Sequence, residues 1–206
     1  MPRKPMAVII AGGSAKRMEG KEKPLQLLAG KPLLQHVIDG VRESVEGLII
    51  NSNSHFPDYK EYGYPVVEDL KLGAQSPLIG VYSGLHWYNE QKAGIDYMVT
   101  LPADVPVFPQ DLVLRLKQAA EQSESGIAYI ECEGQQQPLF AIWPLGALKK
   151  LRAEIAAGNL GSKYVLQKLN AQPVAMSKSS PEEFTNINTL AELATLEAQL
   201  AQNNTA

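Results

Sequence analysis

Residues 9–24 have the side-chain types and the spacing to bind an anionic ligand. They read I-I-A-G-G-S-A-K-R-M-E-G-K-E-K-P and follow an apolar run, residues 6–10, that is short enough to be a buried strand. Paired glycines let the backbone approach phosphate oxygens closely, and cationic side chains offset the charge that phosphates bring. The cations of this segment are Lys16, Arg17, Lys21 and Lys23. The segment is therefore predicted to be a phosphate-binding loop.

Three common phosphate-binding motifs do not fit this segment. A Walker loop fails because Gly20-Lys21 is followed by Glu22 and the position five residues before Gly20 is Ala15. A dinucleotide fingerprint fails because the glycine spacing is wrong and the second strand ends in Asn51 rather than a carboxylate. A kinase glycine loop needs downstream H-R-D and D-F-G partners, which do not occur.

Strand-like apolar runs alternate with helical patterns along most of the chain. This rhythm, with strands that are apolar on both faces, predicts one doubly wound α/β domain: a mostly parallel sheet flanked by helices. We predict strands at residues 6–10, 48–51, 65–69 and 97–101, and a hairpin made of residues 127–130 and 139–142. Helices are predicted to begin near residues 33, 77, 109, 148 and 161, and after Thr189, where Glu192 completes a capping box.

Polar residues follow the carboxyl ends of the predicted strands. They are Gly12-Gly13, Asn51, Asp69 and Asp104. Ligands of open α/β sheets bind at these ends, so the residues are expected to share one site. Asn51 offers one acceptor and two donors, which suits a nucleoside edge. Asp104 suits Mg²⁺, which takes one or two carboxylates together with substrate phosphates.

Composition limits the remaining possibilities. The formal net charge of -3 over 206 residues argues against a general nucleic-acid binder. One cysteine excludes an intramolecular disulfide framework and a multi-cysteine zinc site, and is consistent with a cytoplasmic location. No apolar stretch approaches the length of about 18 residues that a membrane span needs. We expect a flexible N-terminus at residues 1–5, a single domain at 6–200 and a flexible tail at 201–206.

The loop also fits the pattern [LI]-A-G-G-x-x-x-R-M-x-G-x-[DE]-K-x-L. In this form residues 10–25 resemble the signature of the MobA family, the molybdenum cofactor guanylyltransferases, within the Rossmann-like nucleotidyltransferases. The double glycine favours the guanylyl branch over the cytidylyl relatives. The departures are Ile10 for Leu, Glu19 for a small residue, Glu22 for Asp, and Ser76 for the first Gly of a G-P-L-x-G turn near the base.

The resemblance implies a role for each matching residue. It implies a nucleotide-diphospho-sugar transferase-like fold, Mg²⁺ on Asp104, and catalytic roles for Arg17, Lys23 and Asp104. It implies contact with the pterin for Asn186 and Asn188, which stand in an N-I-N-T segment. The implied GTP-binding residues are Ile10, Ala11, Gly12, Gly13, Lys23, Asn51, Asp69 and Asp104.

The expected reaction transfers GMP from GTP to a molybdopterin-type molybdenum cofactor and releases pyrophosphate. The expected partners are the two substrates, GTP and the molybdenum cofactor, and proteins that deliver the cofactor or receive the product. We expect no binding to nucleic acid or to a membrane. Two alternatives stay open at this point. One is a CTP-dependent or sugar nucleotidyltransferase of the same fold, and the other is a GTP-binding cofactor carrier without catalysis.

Overall fold

A seven-stranded mixed sheet lies at the centre of the protein. The computed structural model describes residues 3–12, 22–54, 57–91 and 94–203. Within them the strands are Met6–Ile10 (β1), Leu27–Leu28 (β2), Lys31–Pro32 (β3), Gly47–Asn51 (β4), Val66–Val67 (β5), Tyr97–Pro102 (β6), Ala128–Cys132 (β7), Gln135–Pro144 (β8) and Gln172–Met176 (β9). The α-helices are Leu33–Val41 (α1), Pro77–Glu90 (α2), Leu112–Gln122 (α3), Ala147–Ala156 (α4), Ser162–Lys168 (α5) and Leu190–Asn203 (α6).

The sheet has the strand order β5-β4-β1-β6-β8-β7-β9, and β2 pairs with β3 in a separate ribbon. Strands β5, β4, β1 and β6 run parallel to one another. Strand β8 is antiparallel to β6 and β7, while β9 is parallel to β7. The register pairs Ile10 of β1 with Asn51 of β4 and with Pro102 of β6. These three strands therefore end at the same level, which brings the residues that follow them to one edge.

Alternate residues of the central strands pack into two cores, one on each face of the sheet. Ala7 and Ile9 belong to a core that includes the apolar residues of α1 and α3. Val8 and Ile10 belong to a core that includes those of α2, α4 and α5. All four side chains are buried, as expected for a parallel strand covered by helices on both sides. The predicted doubly wound, mostly parallel architecture is confirmed.

Several predicted element boundaries differ from the structure. The helix predicted from Pro109 begins at Leu112, because the Pro109 carbonyl accepts from Leu112 N in a turn before the helix. The helix predicted to begin near residue 33 ends as α1 at Val41 and continues as a short 3-10 turn, although the helical spacing of apolar residues extends to Val45. The strand predicted over residues 65–69 keeps only two paired residues in β5.

Strand β9 was not predicted, because its sequence, Q-P-V-A-M, has a single β-branched residue and a proline, which argues against a strand. It forms because β7 offers a free edge: Gln172 N donates to Ile127 O at 2.8 Å, and five residues then pair in parallel. The predicted hairpin is present, with Glu133 and Gly134 in its turn. Both have positive φ angles, of 50° and 75°, which suits a tight two-residue connection.

The two ends of the described chain contact its body. Arg3 forms an ion pair with Glu46 at 2.9 Å, and Lys4 Nζ donates to Glu43 O at 2.6 Å. At the other end α6 continues to Asn203 and packs through Leu193 and Leu196 against Leu28 and Leu33. Over the described residues, no helix combines the length and the apolar character that crossing a membrane requires.

Candidate active site

A cavity of about 760 Å³ lies at the carboxyl ends of the parallel strands. It collects almost all of the residues that the sequence nominated. Gly13 and Arg17 are the exceptions, because both lie outside the described residues. The nominated residues that line the cavity are Ile10, Ala11, Gly12, Lys23, Asn51, Asp69, Asp104, Asn186 and Asn188. The structure thus brings these residues together, and their individual roles stay predictions.

Backbone pairing continues past the strand ends and positions the cavity floor. Ala11 N donates to Asn51 O at 2.9 Å, and Ala103 N donates to Ile10 O at 3.0 Å. The chain after β6 therefore stays in line with β1 for one more residue before it turns. This places the Asp104 carboxylate just beyond the sheet edge, with its side chain partly buried.

Lys23 is held at the centre of the cavity by three oxygen atoms from distant parts of the chain. Its Nζ donates to Asp104 Oδ2 at 2.5 Å, to Asn188 Oδ1 at 2.7 Å and to Asn186 Oδ1 at 3.4 Å. The side chain is only 13% exposed, so this is a largely enclosed ion pair rather than a solvated one. Ile187 N donates to the Asp104 carbonyl at 2.9 Å. This bond fixes residues 186–189, which we call the asparagine segment, against the end of β6.

The asparagine segment is itself fixed by the predicted capping box at the start of α6, which is confirmed. Glu192 Oε2 accepts from Asn188 N at 2.6 Å and from Thr189 N at 2.9 Å. In return, Thr189 Oγ1 accepts from Glu192 N at 3.2 Å. The hydrogen bond from Asn188 is the largest cause that lowers the pKa of the Glu192 carboxyl, and the cation of Lys23 contributes.

A second polar cluster lies at the ends of β4 and β5. Asn51 Nδ2 donates to Val67 O at 3.1 Å and to Asp69 Oδ1 at 3.0 Å. Asn53 contacts Asp69 twice: its Nδ2 donates to Asp69 Oδ2 at 2.8 Å, and its Oδ1 accepts from Asp69 N at 2.8 Å. The sequence nominated Asn51 and Asp69 but not Asn53, although the N-S-N spacing was a visible signal.

Gly80, in the first turns of α2, allows Asn51 to occupy this position. A Cβ atom built on Gly80 would stand 2.2 Å from Asn51 Oδ1, far inside contact distance. At Gly12 the corresponding distance is 3.6 Å, an ordinary van der Waals contact. Packing against Asn51 therefore requires a glycine at position 80. At position 12 the close approach of a phosphate stays the predicted reason for glycine.

Ser76, which replaces the glycine of the family turn, has a structural function of its own. Its φ of -166° is ordinary extended backbone, so the position does not require a glycine. Its Oγ accepts from Leu78 N at 3.1 Å as the N-cap of α2, and donates to Leu160 O at 2.6 Å. Ser76 thereby ties the start of α2 to the segment between α4 and α5.

Glu22 anchors the chain directly before the 3-10 turn that contains Lys23. Its Oε2 accepts from the hydroxyl of Tyr59 at 2.6 Å, and the tyrosine ring is fully buried. Burial is the largest cause that raises the pKa of Tyr59, followed by the neighbouring Glu22 carboxylate, so the phenol remains a donor. Sequence reasoning missed Tyr59, because nothing in local spacing indicates a contact across 37 residues.

The hairpin supplies a side of the cavity that sequence reasoning also missed. Residues 137–140, near the start of β8, line it together with Gln75. In the sheet order β8 lies on the far side of β1 and β6 from β4 and β5. The cavity therefore extends across the sheet edge, from the Asn51 cluster to β8, with Lys23 and Asp104 between them.

The donor set around Lys23 fits a divalent cation. Asp104 supplies a carboxylate, and Asn186 and Asn188 supply amide oxygens, all of which are hard ligands. In the part of the chain that the structure describes, no group of three or more His, Cys, Asp or Glu side chains is arranged to hold a metal ion. A cation at Asp104 would therefore complete its coordination with substrate phosphates, as Mg²⁺ commonly does.

Residues 7–174 match the model of the MobA-like NTP transferase domain. The chain belongs to the MobA-like NTP transferase family. It is a nucleotidyltransferase, and the predicted enzyme class is confirmed. The match covers the carboxyl ends of the parallel strands β1, β4, β5 and β6, where the cavity lies. It also includes Lys23, Asn51, Asp69 and Asp104. Asn186 and Asn188 lie beyond the part of the chain that the family model covers. The comparisons with individual relatives cover more of the chain.

Curated relatives cover nearly the full length of this family member. The molybdenum cofactor guanylyltransferase of Rhodopseudomonas palustris (strain HaA2) is 35% identical over 199 residues, which is 95% of this chain and 92% of that protein. The protein of the same name from Yersinia pestis (strain Pestoides F) is 37% identical over 185 residues, 90% of this chain and 91% of the relative. The predicted resemblance to the molybdenum cofactor guanylyltransferases is confirmed.

A solved structure shows the same fold. The molybdopterin-guanine dinucleotide biosynthesis protein A from Archaeoglobus fulgidus superposes with a TM-score of 0.72 over 96% of this chain and 99% of that one. Sequence identity is 19%, so the superposition concerns the fold. It supports the predicted nucleotide-diphospho-sugar transferase-like architecture.

Proposed function

We propose that this family member transfers GMP from GTP to a molybdopterin-type molybdenum cofactor, forming the guanine dinucleotide cofactor and pyrophosphate. Two curated relatives are named molybdenum cofactor guanylyltransferase, and this chain aligns with them over more than nine-tenths of their length. The observation that carries the proposal is the contact of Lys23 Nζ with Asp104 and Asn188. It joins the end of the phosphate-binding loop, the end of β6 and the C-terminal asparagine segment at one point.

The order of the strands suggests how two substrates share the cavity. The guanosine would lie on the β4 and β5 side, where Asn51 and Asp69 offer hydrogen-bonding groups. The phosphates would lie at the centre, near Lys23. The pterin would lie toward β8 and the asparagine segment, where residues 137–140 and Asn186 line the cavity. This arrangement places the two reacting ends together over Asp104.

The proposed reaction is a direct phosphoryl transfer. A terminal phosphate oxygen of the pterin forms a bond to the α-phosphorus of GTP, and the bond from that phosphorus to the bridging oxygen breaks. Its electron pair leaves with pyrophosphate. A covalent intermediate with the enzyme is not needed, so the protein acts by positioning and by electrostatic stabilisation. Arg17 and Lys23 would offset the charge on the transferred phosphoryl group and on the pyrophosphate.

We infer that the divalent cation is Mg²⁺, held by Asp104 with help from the amide oxygens of the asparagine segment. When bound, the ion neutralises charge on the phosphate oxygens. Lys23 would donate to phosphate oxygens as well, because its ammonium group has three donors on a flexible stem. Proteins that supply the pterin or receive the dinucleotide are the expected partners, and the cytoplasm is the expected location.

The decisive experiment incubates the purified protein with molybdopterin or its molybdenum form, Mg²⁺ and each nucleoside triphosphate in turn. We expect pyrophosphate release that requires both the pterin and GTP, with the guanine dinucleotide as the product identified by mass. A product formed preferentially from CTP would reassign the protein to the cytidylyl branch. Tight GTP binding without pterin-dependent pyrophosphate release would indicate the carrier alternative.

A further inference from the structure

We propose that Asn53 is a positioning residue that holds the Asp69 carboxylate as the acceptor for the hydrogen-bond donors on the edge of guanine. This proposal rests on the proposed use of GTP and adds to it a residue that determines the choice of base. Asn53 is an exposed residue of the cavity lining that follows the end of β4 and is separate from the Lys23 and Asp104 centre.

Asn53 holds Asp69 at two points. One bond, from Asn53 Nδ2 to Asp69 Oδ2, orients the carboxylate, and the other, from Asp69 N to Asn53 Oδ1, fixes its backbone. The next residue is fixed independently, because Leu70 N donates to Ser83 Oγ of α2 at 2.9 Å. Removing the Asn53 side chain should therefore leave the carboxylate held through one oxygen only, by Asn51, while the backbone stays attached to α2.

The same network leaves Asp69, which lines the cavity, with acceptor positions that no residue of the network uses. Both hydrogens of Asn51 Nδ2 are used, one by Val67 O and one by Asp69 Oδ1. The orientation of the Asn51 amide follows from these two bonds, and its Oδ1 is directed toward Gly80. Each Asp69 oxygen accepts one bond from an asparagine and retains a further lone pair.

A carboxylate that presents two hydrogen-bond acceptors can discriminate among the four common bases. Guanine is the one that presents two adjacent donors, N1–H and N2–H₂, on its Watson–Crick edge. Cytosine and adenine each place an acceptor beside their single amino group, and uracil places acceptors on both sides of its one N–H. A carboxylate therefore forms two parallel hydrogen bonds with guanine, whereas it meets a lone pair on each of the others.

A ribose offers two adjacent hydroxyl donors as well, so the position of Asp69 in the sheet matters. Asp69 follows β5, and Asp104 follows β6, with β4 and β1 between them. Three strand spacings separate the two positions by about 14 Å. The ribose lies next to the α-phosphate, and the Watson–Crick edge is the part of GTP farthest from it. Phosphates near Asp104 therefore place the base, rather than the ribose, at Asp69.

The test compares binding of three ligands in the presence of Mg²⁺: GTP, ITP, which lacks the N2 amino group, and 2′-deoxyGTP, which lacks the 2′-hydroxyl of the ribose. We expect the wild-type protein to prefer GTP over ITP. Asn53→Ala should reduce that preference about tenfold, within the discrimination that one bidentate contact to a base provides. The preference for GTP over 2′-deoxyGTP should stay unchanged, because Asn53 acts on the base alone.

Two further variants separate positioning from general damage. Asn53→Asp keeps an oxygen that can accept from Asp69 N but replaces the donor with a carboxylate, so it should reduce the GTP-over-ITP preference at least as much as Asn53→Ala. Asn89→Ala removes an exposed asparagine at the end of α2, away from the cavity, and should change neither preference. Thermal unfolding of each variant checks that the fold is retained.

A wild-type protein that binds GTP and ITP equally would overturn the proposal. So would an Asn53→Ala variant whose GTP-over-2′-deoxyGTP preference falls while its GTP-over-ITP preference stays, since Asp69 would then contact the ribose. Because these are binding measurements, they do not depend on turnover. Failure of the proposed function would instead appear as the absence of pterin-dependent pyrophosphate release, with the base preferences intact.

Discussion

At the residue scale, the site depends on a lysine whose partners lie far away in the sequence. Asn186 and Asn188 are 163 and 165 residues from Lys23, yet both contact its ammonium group. The sequence nominated all of these residues, because each stands in a short recognisable motif. The sequence did not predict that these residues contact one another, because no local pattern specifies which amide oxygen a lysine will bind.

Replacing Lys23 is expected to impair catalysis much more than folding. Lys23→Ala should lower kcat for pterin-dependent pyrophosphate release by about a hundredfold or more, on the order of 3 kcal/mol, as loss of one transition-state donor typically does. Steady-state kinetics measures this effect. Lys31→Ala is the matched control, because Lys31 forms an exposed ion pair with Asp39. Equal turnover in the Lys23 and Lys31 variants would contradict the proposed role.

Gly80 provides a second test at this scale, because its mutation affects Asn51 without removing any polar group. Gly80→Ala should weaken GTP binding by about 1–2 kcal/mol, since the added methyl group displaces an amide held by two hydrogen bonds. Isothermal titration with GTP and Mg²⁺ measures the loss.

Gly84→Ala is the control for Gly80→Ala, one helical turn further along α2. There the new Cβ would meet the side chain of Val8 at 3.2 Å, so the change affects core packing rather than the cavity. We expect a lower melting temperature with GTP affinity retained. If both variants bound GTP as tightly as the wild type, the placement of Asn51 would be irrelevant to the nucleotide.

At the element scale, the capping box of α6 connects helix formation with the geometry of the site. Glu192 holds the backbone of Asn188 and Thr189, and the preceding residues contact Lys23 and Asp104. The capping box could be predicted from the T-L-A-E sequence of residues 189–192 alone, because Thr and Glu three positions apart satisfy the first backbone N–H groups of a helix. Its position over the cavity could not be predicted in this way.

The lowered pKa of Glu192 gives a pH dependence with a defined sign. Because the folded state favours the carboxylate, its contribution to stability is fully present above the ordinary value of 4.5 and is lost as the pH falls through the lower folded value. Glu192→Ala should therefore melt below the wild type at pH 7, and the difference should shrink as the pH falls below 4.5.

Thermal unfolding across this pH range, with the exposed Glu124→Ala variant as control, measures the effect. Glu124 lies in the turn after α3 and should give no such difference. A gap between wild type and Glu192→Ala that stays constant down to acid pH would show that the capping carboxylate does not titrate with folding.

At the scale of the whole molecule, the sheet order gives the cavity its shape. Parallel strands end at one edge, and the antiparallel β8 returns along β6 to form the far side of the cavity. The antiparallel return could be predicted from the hairpin pattern, but its place beside β6 follows from long-range pairing. The result is an extended cavity across the sheet edge, in which we propose that two anionic substrates bind with their phosphates at the centre.

A nucleotide that contacts several segments should stabilise the entire fold. Saturation at a hundred times Kd contributes about 2.7 kcal/mol. For a chain of this size that corresponds to a rise in melting temperature of about 5–10 °C. We expect such a shift with GTP and Mg²⁺ in differential scanning fluorimetry, and a smaller one with CTP at the same concentration.

Asp104→Ala is the variant that assigns the metal-dependent part of this shift. In the presence of Mg²⁺, GTP should raise the melting temperature of this variant less than that of the wild type. Without Mg²⁺, the GTP-induced rises in melting temperature of the two proteins should become more similar. A shift that CTP produces as fully as GTP would contradict the guanine preference, and one that is independent of Mg²⁺ in the wild type would contradict a metal at Asp104.

The sequence alone was enough to specify most of the elements and the polar residues that follow the parallel strands. Apolar runs on both faces of the strands, glycine breaks and capping residues are local signals, because each depends on neighbours within a few positions. They specified the doubly wound sheet and, together with the resemblance to the family signature, nominated Lys23, Asn51, Asp69 and Asp104. The tertiary structure decided which of these side chains touch, and it added Asn53, Tyr59 and strand β9, because hydrogen bonds between segments far apart in the chain form only once the sheet has aligned them.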